Sequence, residues 1–306
     1  MQTLWYLTQL FLSLAFGAIV AHGIGKSRLH RGTALSLDVI LYSLLFLMGV
    51  NTASIDDIEN QIMRMGFDAL VSTVLVTLGC IVSASVLGML LSRRVSSSQH
   101  ARQQITWRRL KTPLLMIAIV VAGIVLSSLT DLFVWYDSSM ITIVLYILLF
   151  LVGMQMVQHE VDLLSLVKSP LMLLLPVSTI VGTYLGALAI PLLTSYSLRE
   201  ALTLVSGFGW YSLSGVLISG LGDPQLGAVS FLSNLFRESL AFILIPLLAT
   251  LSRTSFSAVS IAGATSMDVT LPLLKKSLGE TVVPLAIAHG VAMTLVAPFL
   301  IPLWYG

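Results

Sequence analysis

Charge is what this chain has least of. Only 10% of its 306 residues are Asp, Glu, Lys or Arg, against 57% hydrophobic, whereas a soluble domain carries about a quarter charged residues. So little charge cannot cover a water-facing surface. Cysteine is nearly absent too. The single Cys80 excludes an internal disulfide framework and a multi-cysteine metal site, and its mid-span place reads as packing. No GxxxxGK[ST] loop is present, so there is no signature of nucleotide-driven work. Short alternating segments of the kind that build a membrane β-barrel are missing. No stretch is polar enough for a separate soluble domain. The net charge of +2 singles out no nucleic-acid partner, and nothing calls for a cofactor.

What is present is a series of apolar runs close to the ~20 residues needed to cross a bilayer. They stand near 4–22, 35–52, 66–92, 112–131, 139–158 and 170–194. The first lacks a basic start and a small-residue cleavage site, so it reads as a retained span. After Leu198 the stretches 200–223 and 254–279 are broken by Gly, Ser, Thr, Asp and Pro, while 226–251 and 281–304 are more continuous. Short cytoplasmic loops carry the excess Lys and Arg. That places Lys26, Arg28 and Arg31, then Arg93, Arg94, Arg102, Arg108, Arg109 and Lys111, inside, and Asp56, Asp57, Glu59, Asp131 and Asp137 outside. Trp5, Trp107, Trp135 and Trp304 stand near span ends, as interfacial aromatics do.

"VILYSLLFLMG" (39–49) matches "IVLYILLFLVG" (143–153) at an offset of 104 residues. Three crossings per unit make 1–92 and 112–194 an inverted repeat, a recurring plan of secondary transporters. The expected fold is an all-α polytopic membrane protein with about 8 full transmembrane helices plus two broken or re-entrant segments. Both termini lie outside, and 199–306 forms the substrate-site region. Full crossing by both broken segments would give ten helices with the same terminal sides.

The broken segments pose the chemical question. Unpaired backbone groups are costly in lipid, so helix breaks occur inside protein or beside a watery cavity. Freed N–H groups can hold a carboxylate and freed carbonyls a cation. Gly207, Gly209, Gly215 and Gly263 permit close approach or unusual dihedrals. Ser206, Ser212, Ser214, Thr265, Ser266 and Thr270 offer hydroxyls. Small residues also line ordinary helix contacts, and it is the two clusters together that point to a site. Glu238 and Asp268 sharpen it, because an acid at membrane depth costs roughly 3 kcal/mol and marks an ion or proton path. Arg237 is adjacent to Glu238, but helix neighbours point about 100° apart and do not face each other. Asn234 lies one turn before Glu238 on the same face. His289 is equally a proton relay or a hydrogen-bonded core histidine. Tyr211 and Trp210 either wall a pocket or pack. Asp38 and Asp68, near span ends, read as solvated.

"SGFGWYSLSG" (206–215), Arg237-Glu238, "GATSMDVTLP" and His289-Gly290 occur here in the order that resembles the bacterial lysine exporter family LysO. The likeness is strongest over about 199–306 and extends more weakly through the front half. It implies export of L-lysine and its toxic analogues across the bacterial inner membrane, with reliance on intramembrane carboxylates that map to Glu238 and Asp268. The family often has an Asn-Asp pair where this chain has Ser233-Asn234. The partners implied are L-lysine, protons and the lipid bilayer, with a homodimer left open. Moving a cation out against an interior-negative potential costs about 2.3 kcal/mol per 100 mV, so export must be coupled, and a proton entering per lysine leaving is electrically neutral. The competing readings are an exporter of another cationic or small solute, a passive channel, and an intramembrane serine protease built on Ser214 and His289.

Overall fold

The computed structural model describes residues 2–24, 30–53, 58–91, 111–133, 136–137, 139–158, 170–251 and 255–306. Lys26, Arg28, Arg93, Arg94, Arg102, Arg108, Arg109, Arg253, Asp56, Asp57, Trp107 and Trp135 lie outside the described residues, as do the side chains of Arg31, Glu59, Lys111 and Asp131.

Among the described residues the chain is helical, with no strand. The front half supplies α1 (Gln2–Ile24), α2 (His30–Ala53), α3 (Ile58–Leu90), α4 (Lys111–Leu129), α5 (Ser139–Gln158) and α6 (Pro170–Ala187). A single turn at Ile190–Leu193 leads into the back half: α7 (Leu198–Val205), α8 (Tyr211–Gly220), α9 (Pro224–Leu251), α10 (Phe256–Ala262), a 3-10 segment Gly263–Met267, α11 (Leu271–Leu278) and α12 (Val283–Tyr305). Five described helices are long and apolar enough to cross a membrane, at Leu35–Ala53, Gln61–Leu90, Pro170–Leu193, Pro224–Thr250 and Glu280–Tyr305. Shorter apolar helices cover Thr8–Gly23, Leu114–Leu129, Met140–Gln155 and Phe256–Met267. Lipid is the expected solvent for their outer faces, which carry large apolar side chains such as Phe11, Phe16, Phe67, Val82 and Leu185, each more than half exposed.

Local chemistry explains the helix starts. Ser197 and Glu200 form a reciprocal capping box at α7, with the Ser197 N–H donating to Glu200 Oε2 at 2.7 Å and the Glu200 N–H to Ser197 Oγ at 3.3 Å. Such a box satisfies two donors that a helix start leaves orphaned. Asp223 Oδ1 does the same for the Leu226 N–H at 2.9 Å as α9 begins at Pro224.

In the front half α1 packs chiefly on α5, α2 on α4, and α3 on α6. Each pair closes at glycines. A methyl group on Gly17 would strike the Phe150 carbonyl, one on Gly49 the Val120 carbonyl, and one on Gly79 the Gly182 carbonyl. Small residues let backbones approach where hydrophobicity cannot drive association. Exchanging α1, α2 and α3 for α4, α5 and α6 turns the pairs α1–α5 and α2–α4 into one another and leaves α3–α6 unchanged. Helices α1, α2, α4 and α5 form one group; α3 and α6 join the back half in a second. The continuous core runs through both.

The two broken segments lie at opposite ends of α12. Arg199 Nε donates to the Trp304 carbonyl at 2.8 Å, and a Cβ on Gly222 would lie 3.8 Å from Tyr305 Oη. Both ends of 198–223 therefore sit beside the C-terminal end of α12. The stretch 255–279 begins beside the last turns of α3, where Ser85 and Ser257 hydroxyls stand 2.9 Å apart, and runs into the opposite end of α12.

Candidate functional site

The two breaks meet inside the protein. Phe208 and Gly209 have φ of 48° and 93°, and Gly263 has φ of 60°. This left-handed region costs little for glycine and more for Phe. The Phe208 carbonyl accepts the Ala264 N–H at 2.9 Å, so each break satisfies part of the other's freed backbone. A side chain on Gly263 would run into that carbonyl. Asn234 on α9 holds the first break: its Oδ1 accepts the Gly209 N–H at 2.7 Å, and its Nδ2 donates to the Ser230 carbonyl at 2.9 Å and to Ser214 Oγ at 3.2 Å. Arg237 holds the second. Its Nε donates to the Ile261 carbonyl and its Nη2 to the Ser260 carbonyl, both at 3.1 Å, in the last turn of α10. Its Nη1 reaches Thr183 Oγ1 at 3.4 Å and its Nη2 reaches Cys80 Sγ at 3.5 Å. The guanidinium is thus spent on the helix end rather than on Glu238.

Beside this crossing is a cavity of about 300 Å³, at the small end of ligand sites. Gly209, Trp210, Tyr211 and Ser212 contribute from the first break, and Ala264, Thr265, Met267, Asp268 and Val269 from the second. Glu238 and Thr294 form part of the wall; α2 adds Leu37, Asp38, Leu41 and Tyr42, and α4 and α5 add Met116, Leu148, Val152 and Gln155. Among these residues three carboxylic acids stand and no Lys, Arg or His. Glu238, Asp268 and Tyr211 line the cavity together.

The acids differ in surroundings. Glu238 is 2% exposed and its Oε2 has no hydrogen-bond partner among the described residues. The same holds for Thr294 Oγ1, equally buried. Asp268 keeps surface open to the cavity and its Oδ1 accepts the Val269 N–H at 2.5 Å. The N-terminus of the ten-residue α8 also faces the cavity through Tyr211 and Ser212, and a helix start presents N–H groups without intrahelical acceptors. The cavity therefore suits a small ligand with ammonium groups and one carboxylate.

Other sequence candidates stand behind this wall. Ser206 Oγ donates to the Leu202 carbonyl and pairs with Tyr184 Oη at 2.9 Å, itself bonded to Trp304. Gly207 and Gly215 are packing positions, pressed against Ser214 and Asn234, and against Met48 and Phe231. Ser214 Oγ donates to the Tyr211 carbonyl. Thr270 Oγ1 donates to the Thr265 carbonyl. Ser266 Oγ lies 3.0 Å from His289 Nδ1, and His289 Nε2 lies 2.9 Å from Thr179 Oγ1, so the fully buried imidazole is bonded on both sides. Ser214 and His289 thus have other partners and do not form a nucleophile–base pair. Asp38, read as a solvated residue near a helix end, is exposed and also lines the cavity; Asp68, read the same way, is 5% exposed and so is buried instead. The available signal for Asp38 at the cavity was an acid inside an apolar run. Thr294 and Tyr42 had no comparable signal, since lone hydroxyls on greasy helices usually pack.

The sequence profile of the family described as lysine exporter LysO matches residues 117–305. The chain is 32% identical over 268 residues to the lysine exporter LysO of Escherichia coli (strain K12), covering 87% of this chain and 88% of that one. It is also 32% identical over 186 residues to a Haemophilus influenzae protein whose name assigns lysine export provisionally, covering 61% and 94%. No solved structure matches at a significant level. A multi-pass helical chain with crossed helix breaks, matched along most of its length, belongs to the LysO family of lysine exporters.

Proposed function

We propose that this protein exports L-lysine and close analogues across the bacterial inner membrane by exchange for a proton. The observation that carries the reading is the cavity at the crossed breaks, which gathers carboxylates and no basic side chain. Asp268, open to the cavity and steadied by the Val269 N–H, takes an ammonium group. The first N–H groups of α8 take the substrate carboxylate. Glu238 carries the coupling proton, because a buried carboxylate oxygen with no donor is costly while charged and acceptable while protonated. Lysine binding favours the deprotonated form; a proton arriving from outside displaces the substrate there.

The five long helices, with the apolar helices at Thr8–Gly23, Leu114–Leu129 and Met140–Gln155, make eight crossings. The segments 198–223 and 255–279 are re-entrant from opposite sides, and both termini lie outside. The inverted repeat of 1–92 and 112–194 accounts for the exchangeable helix pairs. The cavity mouth, marked by exposed Asp38 and Val269, is then on the cytoplasmic side, as loading of an exporter requires. Purified protein in liposomes tests this. An imposed proton gradient is expected to drive lysine against its own gradient, and collapsing the gradient to stop it. Downhill lysine flux indifferent to the gradient would instead mark a passive channel.

A further inference from the structure

We infer that Asp38 is a third substrate-binding carboxylate, which receives the side-chain ammonium of the exported amino acid and so sets its selectivity. The inference rests on the export reading above and deepens it by assigning the part of the site that reads the side chain.

Asp38 sits two turns into α2, and its neighbours Leu37, Leu41 and Tyr42 line the same cavity. The lipid-facing side of this helix is marked by Leu35, 67% exposed, and Val39, 56% exposed. Asp38 is exposed and lines the cavity, one turn along from Leu35. Its carboxylate has no hydrogen-bond or ion-pair partner among the described residues. Other acids of the chain have structural duties: Asp223 caps α9, Glu200 closes the capping box of α7, and Glu280 pairs with Lys275 at 2.8 Å. Asp38 has none of these. It stands near the start of the apolar span Leu35–Ala53.

Two further polar groups stand in this wall. Glu238 Oε2 and Thr294 Oγ1 are both 2% exposed, both line the cavity, and neither has a hydrogen-bond partner among the described residues. Buried polar atoms are ordinarily satisfied, and a polar ligand in the cavity would supply what these two lack.

The placement divides the ligand into two ends. The crossed breaks offer Asp268 and the α8 N-terminus, which together match an α-ammonium and an α-carboxylate. Asp38 belongs to the other helix group and faces the breaks from α2. A second ammonium carried on a flexible aliphatic chain reaches from one group to the other, over the apolar surface of Leu37, Leu41, Met116 and Leu148. Tyr42 and Trp210 add aromatic faces, to which cations are attracted. A monoamino acid fills the first half and leaves Asp38 unpaired. The substrate class that satisfies all the groups is a diamino monocarboxylic acid.

The test is transport into inside-out liposomes by wild type, Asp38→Asn and Asp38→Glu, with radiolabelled L-lysine and L-norleucine, which has the same carbon chain without the terminal ammonium. Losing one charge-assisted hydrogen bond costs about tenfold or more in affinity. Asp38→Asn is expected to raise the KM for lysine at least tenfold and to shrink the lysine-over-norleucine preference by a similar factor, with Asp38→Glu largely restoring both. A melting scan in detergent provides a second measurement: Asp38→Asn should unfold at the wild-type temperature without lysine but lose the upward shift that lysine gives wild type. An unchanged KM and preference in Asp38→Asn would overturn the proposal while leaving the export reading intact. So would a fall in kcat alone, or a lysine shift that survives. A wild-type protein that moves no lysine would remove the export reading and this assignment with it.

Discussion

Two neighbouring residues, Arg237 and Glu238, show how sharply one helix step separates roles. Both are 2% exposed. Arg237 turns to the end of α10 and finds carbonyls; Glu238 turns to the cavity, where its Oε2 finds no donor among the described residues. If Glu238 carries the coupling proton, its role ends where proton exchange is not needed. Glu238→Gln is therefore expected to abolish lysine export driven by a proton gradient, by at least a hundredfold, while lysine-for-lysine exchange across the same liposomes persists. Loss of exchange as well as net export in a folded Glu238→Gln protein would assign Glu238 to substrate binding instead. Asp268→Asn, by contrast, should lose both.

At the scale of elements, the site exists because two helices stop early and their stopping points touch. Gly263 is the tightest position, with a left-handed φ of 60° and the Phe208 carbonyl where a side chain would go. Gly263→Ala is expected to destabilise the protein by about 2 kcal/mol or more, as strain at a special dihedral and a backbone clash combine. A melting scan in detergent would register it, and transport would fall with it because Asp268 hangs from the displaced segment. Gly290→Ala would clash with Met267 and Ala264 without any dihedral penalty, and so separates crowding from backbone strain. The repeated "LLFLMG" and "LLFLVG" helices act differently. They bring Gly49 to α4 and Gly153 to α1 and so build the wall that faces the breaks.

For the whole molecule the decisive feature is that the carboxylates come from two helix groups. Glu238 and Asp268 belong to the group holding the breaks, Asp38 to the group of α1, α2, α4 and α5. A substrate held by both would lie on the boundary between them. A re-entrant course for 198–223 would have a sidedness consequence. Cysteines introduced at Thr194 and Asp223 should be labelled by an impermeant thiol reagent from outside intact cells, and one at Lys276 only after the membrane is opened. The native Cys80 is fully buried and gives no background. Labelling of Thr194 and Asp223 from opposite sides would show the first broken segment to span fully.

By itself the sequence determined the solvent, the helical class and the places where helices fail. Each of these is local: apolar run length, Gly and Ser in an apolar context, and an acid at bilayer depth can be read from a short window. It also marked Glu238 and Asp268, because the energetic cost of a membrane acid needs no knowledge of neighbours. Only the tertiary structure decided which polar groups are committed and which are free. Nothing in the window around Asn234, Arg237 or His289 says that their partners are Gly209, Ser260 and Thr179. Nothing around Asp38 says that its face of α2 meets residues two hundred positions away rather than the membrane surface. Burial and hydrogen-bond satisfaction depend on what the rest of the chain brings near, and in this protein that is a crossing of segments more than fifty residues apart.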